Sequence, residues 1–288
     1  MARYGMVIDL ARCTACYCCF TACKDEYWEN DYPPYSAGQP RFGQYWINLT
    51  KTERGIFPYI KVAYMPMLCQ HCGNAPCMKA ARDGAIRRKR NGIVIIDPKK
   101  ALGQKQIVKA CPYGVIFWNE EKNLPQKCTL CAHRLDEGKV PRCVQVCPSG
   151  CLTFGDFDDP DSEVSKLLAT GKAEVFHPEW KTEPNVYYAN LQKATKNFLA
   201  GAIVYGDVDE CAEGAFVTLK GPQAKKAKTR TNAFGNFELD GLDPGKYALE
   251  IVTPGYETKS LDVELKKSEY LGDIILARIK PRTEKIRR

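Results

Sequence analysis

The chain has 288 residues, 44% of them hydrophobic and 26% charged, with a formal charge of +8. That length allows two domains, and the composition is that of a globular protein, which excludes a disordered or fibrous chain. Fifteen cysteines, fourteen of them between Cys13 and Cys151 and many in C-x2-C spacings, argue for metal or cluster ligation over a disulfide framework. Thiolates around three oxidised cubanes would remove about six units of positive charge, so the basic pI does not point to a nucleic-acid partner. Met1 to Leu10 contains no apolar h-region, and no run is long enough to span a membrane. A cytoplasmic protein is expected, with export while folded on a partner as the alternative.

Residues 4–10 read as a strand feeding the stretch Cys13 to Cys23. Cys13, Cys16, Cys19 and Cys23 form C-x2-C-x2-C-x3-C, the ferredoxin run in which three thiolates hold one 4Fe-4S cluster and the fourth reaches another. The run demands a partner elsewhere in the chain. Tyr27 to Pro40 is an aromatic, proline-rich loop that either meets another subunit or packs over the chain's own clusters. Gln44–Glu53 and Phe57–Tyr64 read as a hairpin turning at Arg54-Gly55.

Cys69, Cys72 and Cys77 form a second group, with Ala81 where a fourth cysteine would stand. Arg87 to Arg90 is a basic turn before the strand Ile93–Ile96 and reads as a solvated hairpin tip. A third group keeps only Cys111-Pro112; counting back by the motif spacing, its other positions are Ala101, Gln104 and Ile107. Val115–Trp118 reads as the strand after it. The fourth group is Cys128, Cys131, Cys143 and Cys147-Pro148.

The crossed-ligand rule sorts these groups. Cys13, Cys16 and Cys19 take Cys147; Cys128, Cys131 and Cys143 take Cys23; Cys69, Cys72 and Cys77 take Cys111. A fourth site would need positions 81, 101, 104 and 107, and all four lack a cysteine. Three complete 4Fe-4S sites therefore use twelve cysteines and leave Cys18, Cys151 and Cys211 as small buried residues. A zinc site on Cys128, Cys131, Cys143 and Cys147 is the competing reading. His71 and His133 are expected to donate hydrogen bonds near a cluster, and His177 has no assignable role.

The expected architecture is α+β, with two interleaved ferredoxin-like modules in residues 1–154, one of 1–66 with 116–154 and one inserted at 67–115. An extended arm over 155–199 carries a short helix Glu163–Ala169, with Asp159-Pro160 placing a cap and a first-turn proline ahead of it and Gly171 as its stop. Alternation at Val217 and Leu219, at Tyr247, Leu249 and Ile251, and at Leu261, Val263 and Leu265 predicts a small β-sandwich over 200–280. The basic tail Lys280–Arg288 is expected to fray. No nucleophile–base pair, phosphate loop or open metal site is present, so catalysis is expected on another chain.

The cysteine groups, with Cys111-Pro112-Tyr113-Gly114 and Gln126-Lys127-Cys128-Thr129-Leu130-Cys131, resemble the iron–sulfur subunits of the dimethyl-sulfoxide-reductase family over about residues 1–190. The absent site, the stretch Cys111 to Glu121 and the C-terminal sandwich are similar to the transhydroxylase-type branch, whose sandwich is transthyretin-like. Cys147-Pro148-Ser149-Gly150 is nearer the respiratory members, so a hydroxylase-type partner stands beside a transhydroxylase-type one. The resemblance implies a non-catalytic electron relay or docking subunit. Its partner would be a large molybdenum bis-pterin subunit acting on polyhydroxylated aromatics, in a heterodimer with no membrane anchor. It also implies that the cluster on Cys13, Cys16, Cys19 and Cys147 lies nearest the large subunit. A mainly structural subunit with redox-silent clusters, or the electron-transfer subunit of another soluble family member, is the alternative.

Overall fold

In a computed structural model of the chain, residues 2–221 and 226–280 are described. Positions 281–288 of the basic tail lie outside them. The chain divides into two compact units, Met1–Lys51 with Ala63–Ala194, and Thr52–Val62 with Thr195–Arg288.

The spine of the first unit is β1 (Tyr4–Asp9), in which Met6, Val7 and Ile8 are all buried. Then come α1 (Cys18–Tyr27), the hairpin β2 (Ile47–Ile56) and β3 (Tyr59–Leu68), α2 (Pro76–Ala80), and the hairpin β4 (Ile86–Arg88) and β5 (Val94–Ile96). The chain continues with α3 (Gln106–Lys109), β6 (Phe117–Asn119), β7 (Leu124–Gln126), α4 (Ala132–Asp136) and α5 (Arg142–Gln145). The unit closes with β8 (Leu152–Asp156), α6 (Glu163–Ala169), β9 (Ala173–Glu174), β10 (Val186–Ala189) and α7 (Gln192–Thr195). Helices of four or five residues cannot hold themselves together in water, so α2 to α5 depend on what their cysteines and apolar side chains pack against.

The stretch read as an extended arm is folded into this unit. Strand β8 runs antiparallel to β1, with Met6 opposite Phe154, and β10 runs parallel on its other edge, with Ile8 opposite Tyr188. Val186 and Tyr188 are fully buried, which is why this segment docks instead of trailing. Helix α6 has the expected span, but its cap is Ser162, whose Oγ accepts the Ser165 N–H at 3.2 Å, and not Asp159. Val164 then packs on Val7 and Phe157.

The β2–β3 hairpin turns at Phe57-Pro58, beyond the expected Arg54-Gly55. The physical reason lies in the second unit, which includes the hairpin tip. The Arg54 guanidinium donates to the Asp240 carboxylate at 2.7 and 3.3 Å and to the Lys196 carbonyl at 2.8 Å, which holds Arg54 within the strand.

The second unit also contains β11 (Asn197–Tyr205), β12 (Glu210–Cys211), β13 (Phe216–Lys220), β14 (Lys226–Arg230), β15 (Asn236–Leu242), β16 (Gly245–Val252), β17 (Lys259–Leu265) and β18 (Glu269–Leu276). One sheet has the order β14-β13-β16-β17. In the other, β12 and β15 pair with one edge of β11 and β18 runs parallel along the opposite edge. Leu199, Ile203, Val217, Leu219, Phe237, Leu249, Ile251 and Leu265 form one core between them, as period-two alternation dictates. At the turn before β15, Gly235 has φ +71° and a Cβ there would lie 2.4 Å from the Ile203 carbonyl oxygen, so glycine is required.

Leu249 is fully buried in this core. Leu249→Ala is expected to cost about 2–5 kcal/mol, measured as a lower denaturation midpoint of the second unit, while the iron content of the chain stays unchanged.

Candidate metal centres

The cysteine loops have a backbone that ordinary turns avoid. Ala15 and Tyr17 in the first loop, His71 in the second, and Leu130 and Cys131 in the third are all left-handed, with φ between 45° and 58°. Each such non-glycine residue costs about 1–3 kcal/mol. In return, backbone amides turn towards sulfur. The His71 N–H donates to Cys69 Sγ at 3.5 Å, the Leu130 N–H to Cys128 Sγ at 3.3 Å, and the Arg142 N–H to Cys131 Sγ at 3.4 Å.

Electrostatics sort the thiols into three neighbourhoods. Burial, then the charges of Cys13, Cys147 and Cys16, push Cys19 up to about 12. Burial, then Cys128, Cys131 and Cys143, push Cys23 up strongly. Burial, then Cys69, Cys77 and Cys111, push Cys72 up to about 12, with the Thr182 hydroxyl opposing. Cys147 thus stands with Cys13, Cys16 and Cys19. Cys143 feels Cys131 and Cys128, and then Cys19. Among the described residues no three His, Cys, Asp or Glu side chains converge tightly enough to hold a single metal ion.

The neighbourhoods form a line. Cys19 is felt at Cys23 and Cys143, and Cys69 is felt at Cys128, so the Cys23 group is in the middle. Cys16 is exposed and Cys13 and Cys147 are half-buried, whereas Cys23, Cys128, Cys131 and Cys143 are all buried. In the last group Cys69, Cys72 and Cys77 are buried and Cys111 is half-buried.

The residues around these sulfurs fit an iron–sulfur group. Thiols this resistant to ionisation become ligands only when a metal supplies positive charge. Two buried imidazole nitrogens also lack a partner among the described residues, Nε2 of His71 and Nδ1 of His133. His71 Nδ1 accepts the Val94 N–H at 3.1 Å, so a neutral ring carries its proton on the orphaned Nε2. His133 Nε2 faces the Glu26 carboxylate at 2.9 Å, with Arg134 and Arg142 on the same carboxylate.

The aromatic loop packs over its own cluster region. Tyr27 is buried, its hydroxyl lies 2.7 Å from Thr129 Oγ1, and it hydrogen-bonds the Cys131 sulfur. Tyr32 stacks on His133 with centroids 3.6 Å apart.

Residues 60–157 match the family described as a 4Fe-4S dicluster domain, and residues 199–276 match the carboxypeptidase regulatory-like domain. The chain is 44% identical over 281 residues to the pyrogallol hydroxytransferase small subunit of Pelobacter acidigallici, covering 96% of this chain and 100% of that one. It is 33% identical to the arsenate respiratory reductase iron–sulfur subunit of Shewanella sp. (strain ANA-3), over 65% of this chain and 95% of the relative. It is 34% identical to a tetrathionate reductase subunit of Salmonella typhimurium, over 69% of this chain and 77% of the relative.

The chain belongs to the iron–sulfur subunits of molybdopterin enzymes. In that family the small subunit is not catalytic on its own, and its 4Fe-4S domain is here followed by a transthyretin-like β domain. Among the described residues no helix is long and apolar enough to cross a membrane.

Several residues of this iron–sulfur subunit differ from their sequence reading. Cys151 is buried as expected but hydrogen-bonds Cys13, which draws the Cys13 thiol down to about 6. Cys18 is half-exposed beside Cys16 and Cys147, and Cys211 is exposed on β12, so neither is a small buried residue. The basic turn is not merely solvated: Arg88 donates to the Cys72 and Gly73 carbonyls, and Lys89 bonds Asp136 and Tyr35 at 3.0 Å. His177 stacks on Trp180 at the surface, and its Nδ1 lies 2.7 Å from the Glu179 carboxylate.

At the four positions where a further cluster would need ligands, Ala101 and Ile107 are fully buried and Ala81 packs on the same core. The Gln104 amide accepts the Arg82 N–H at 2.8 Å and donates to the Lys100 carbonyl at 2.8 Å and the Arg82 carbonyl at 3.3 Å. Gln104→Ala removes a side-chain partner from these partly buried backbone groups, although the Arg82 carbonyl still accepts the Ala85 N–H. It is expected to cost about 1–3 kcal/mol in denaturant unfolding with no loss of iron.

Proposed function

We propose that this subunit holds three 4Fe-4S clusters: on Cys13, Cys16, Cys19 and Cys147; on Cys23, Cys128, Cys131 and Cys143; and on Cys69, Cys72, Cys77 and Cys111. In this reading the cluster-bearing part spans residues 1–154 as two interleaved ferredoxin-like modules. Residues 13–23 and 128–147 form one, and the stretch from Cys69 to Cys111 is inserted between them. The chain docks on a large molybdenum bis-pterin subunit acting on polyhydroxylated aromatics, as a transhydroxylase or hydroxylase, and relays electrons to or from it.

The observation that carries the reading is the thiol grouping, in which three cysteines near in sequence are each time joined by a remote fourth. When bound, the clusters supply one-electron storage at potentials set by hydrogen bonds, charge and burial. The chain's own residues hold and insulate them. Backbone amides donate to the sulfurs, His71 and Tyr27 add polar hydrogens, and the Tyr27–Tyr32 loop keeps water from the middle site. The half-exposed first site is the natural face for the large subunit, since electron exchange with another chain needs one cluster near the surface. Likeness in length supports the substrate class. The match to the pyrogallol relative covers 96% of this chain, whereas the arsenate and tetrathionate relatives match about two thirds of it.

The complex purified natively should contain about twelve irons per small subunit. Cys23→Ser should abolish the same paramagnetic signal as Cys143→Ser and spare the one lost in Cys19→Ser. A Cys23→Ser variant that behaves like Cys19→Ser would overturn the crossing. Dithionite-reduced clusters should reoxidise when a polyhydroxylated aromatic is added; clusters that stay silent through many turnovers would reduce the chain to a docking and structural role.

A further inference from the structure

We infer that Lys127 is a fixed buried cation between the second and third clusters that raises the reduction potentials of both together. The inference rests on the ligand sets proposed above. Lys127 is only 2% exposed. Its Nζ donates to the Val94 and Cys128 carbonyl oxygens, and no carboxylate among the described residues pairs with it. An ammonium out of water and without a counter-charge is strongly unfavourable, and two backbone dipoles do not replace one. One carbonyl that Lys127 bonds belongs to Cys128, a ligand of the second cluster, and Val94, which supplies the other, packs in one core with Cys72 and Cys77 of the third. Burial raises Cys77, Cys111 and Cys128, and the Lys127 charge opposes that rise at each of the three. These three ligands come from two different clusters, and Cys128 also feels Cys69 across the gap between them.

The Val94 peptide clamps the arrangement. Its carbonyl oxygen accepts from Lys127 and its N–H donates to His71 Nδ1. Because His71 Nδ1 accepts that hydrogen bond, the ring is not doubly protonated and Lys127 supplies the positive charge there. A cluster with four thiolates becomes more negative by one unit on reduction, and a nearby fixed cation favours that state. Lys127 is not among the leading influences on Cys13, Cys16 or Cys19, so the first cluster should be outside its effect. Lys127 is thus a positioning charge for the inner step of the relay.

The test is redox titration of the intact complex, followed by electron paramagnetic resonance, for wild type, Lys127→Gln and Lys127→Arg. A wild type with fewer than three clusters would fail the ligand reading before Lys127 is in question. With three present, Lys127→Gln should lower the reduced-to-oxidised ratio at fixed poise at least tenfold, about 59 mV for one electron, for the second and third clusters. The first should change less than about twofold, and Lys127→Arg should stay near wild type at all three. An unchanged Lys127→Gln, or an equal fall at all three clusters, overturns the inference. If Lys127→Gln loses iron from the second and third sites, retention of that iron in Lys127→Arg supports the charge, and its loss there too overturns it.

Discussion

A sulfur anion is costly to keep away from water, and the first unit is built around having to keep many of them there. Without iron, burial followed by the charges of neighbouring sulfurs pushes Cys19, Cys72 and Cys128 to about 12, so the folded scaffold by itself favours protonated thiols. Metal binding must displace those protons, which links assembly of the sites to folding of the loops that form them. The scaffold shows the same dependence. Helices α3 and α5 have four residues each, and the loops around Ala15, His71 and Leu130 adopt backbone that these residues rarely choose. Such pieces are stable only when something at their centre over-determines them.

The parts of this architecture legible in the sequence are those that ligand geometry spaces along the chain. Cysteines three residues apart, each loop ending in a remote cysteine or in Cys-Pro, specify groups whatever the surrounding fold, and the thiol neighbourhoods follow the same pattern. Strand periods in the second unit were legible for a similar reason: two faces with different solvents force alternation, as at Leu249 and Ile251. What was not legible depends on partners distant in sequence. Arg54 looked like a turn residue until Asp240 bonded it within β2, and Asp159 looked like a cap until Ser162 proved to be the residue at the helix start. The stretch around Val186 and Tyr188 looked like an arm because its four-residue strand is only recognisable once β1 lies beside it.

The same limit applies to the residues that shape the sites without ligating. Cys151 has no motif of its own; only tertiary structure brings its thiol to Cys13. Lys127 was visible as the residue before a C-x2-C pair, yet a lysine in a short polar stretch is normally solvated, and nothing local indicates that Leu124 to Cys128 is buried throughout. Gln104 is similar. In the sequence it is a missing cysteine; in the fold it is an amide that pairs Arg82 and Lys100 where a cluster would otherwise have organised the backbone.

Burial is uneven along the line of sites, and that bears on what the protein can do. Here the group containing Cys16 opens to the surface, while the middle group is closed by the Tyr27–Tyr32 loop, the Glu26–His133 pair and the packing of α1 on α5. Each neighbourhood feels the next through ligand cysteines: Cys19 acts on Cys23 and Cys143, and Cys69 on Cys128. In the reading proposed above, a chain of sites joined at such steps, insulated in the middle and exposed at the Cys16 end, suits directed electron transfer. The buried cation at the second step lies where a charge acts strongly on both clusters, because the dielectric there is low and no carboxylate among the described residues offsets it.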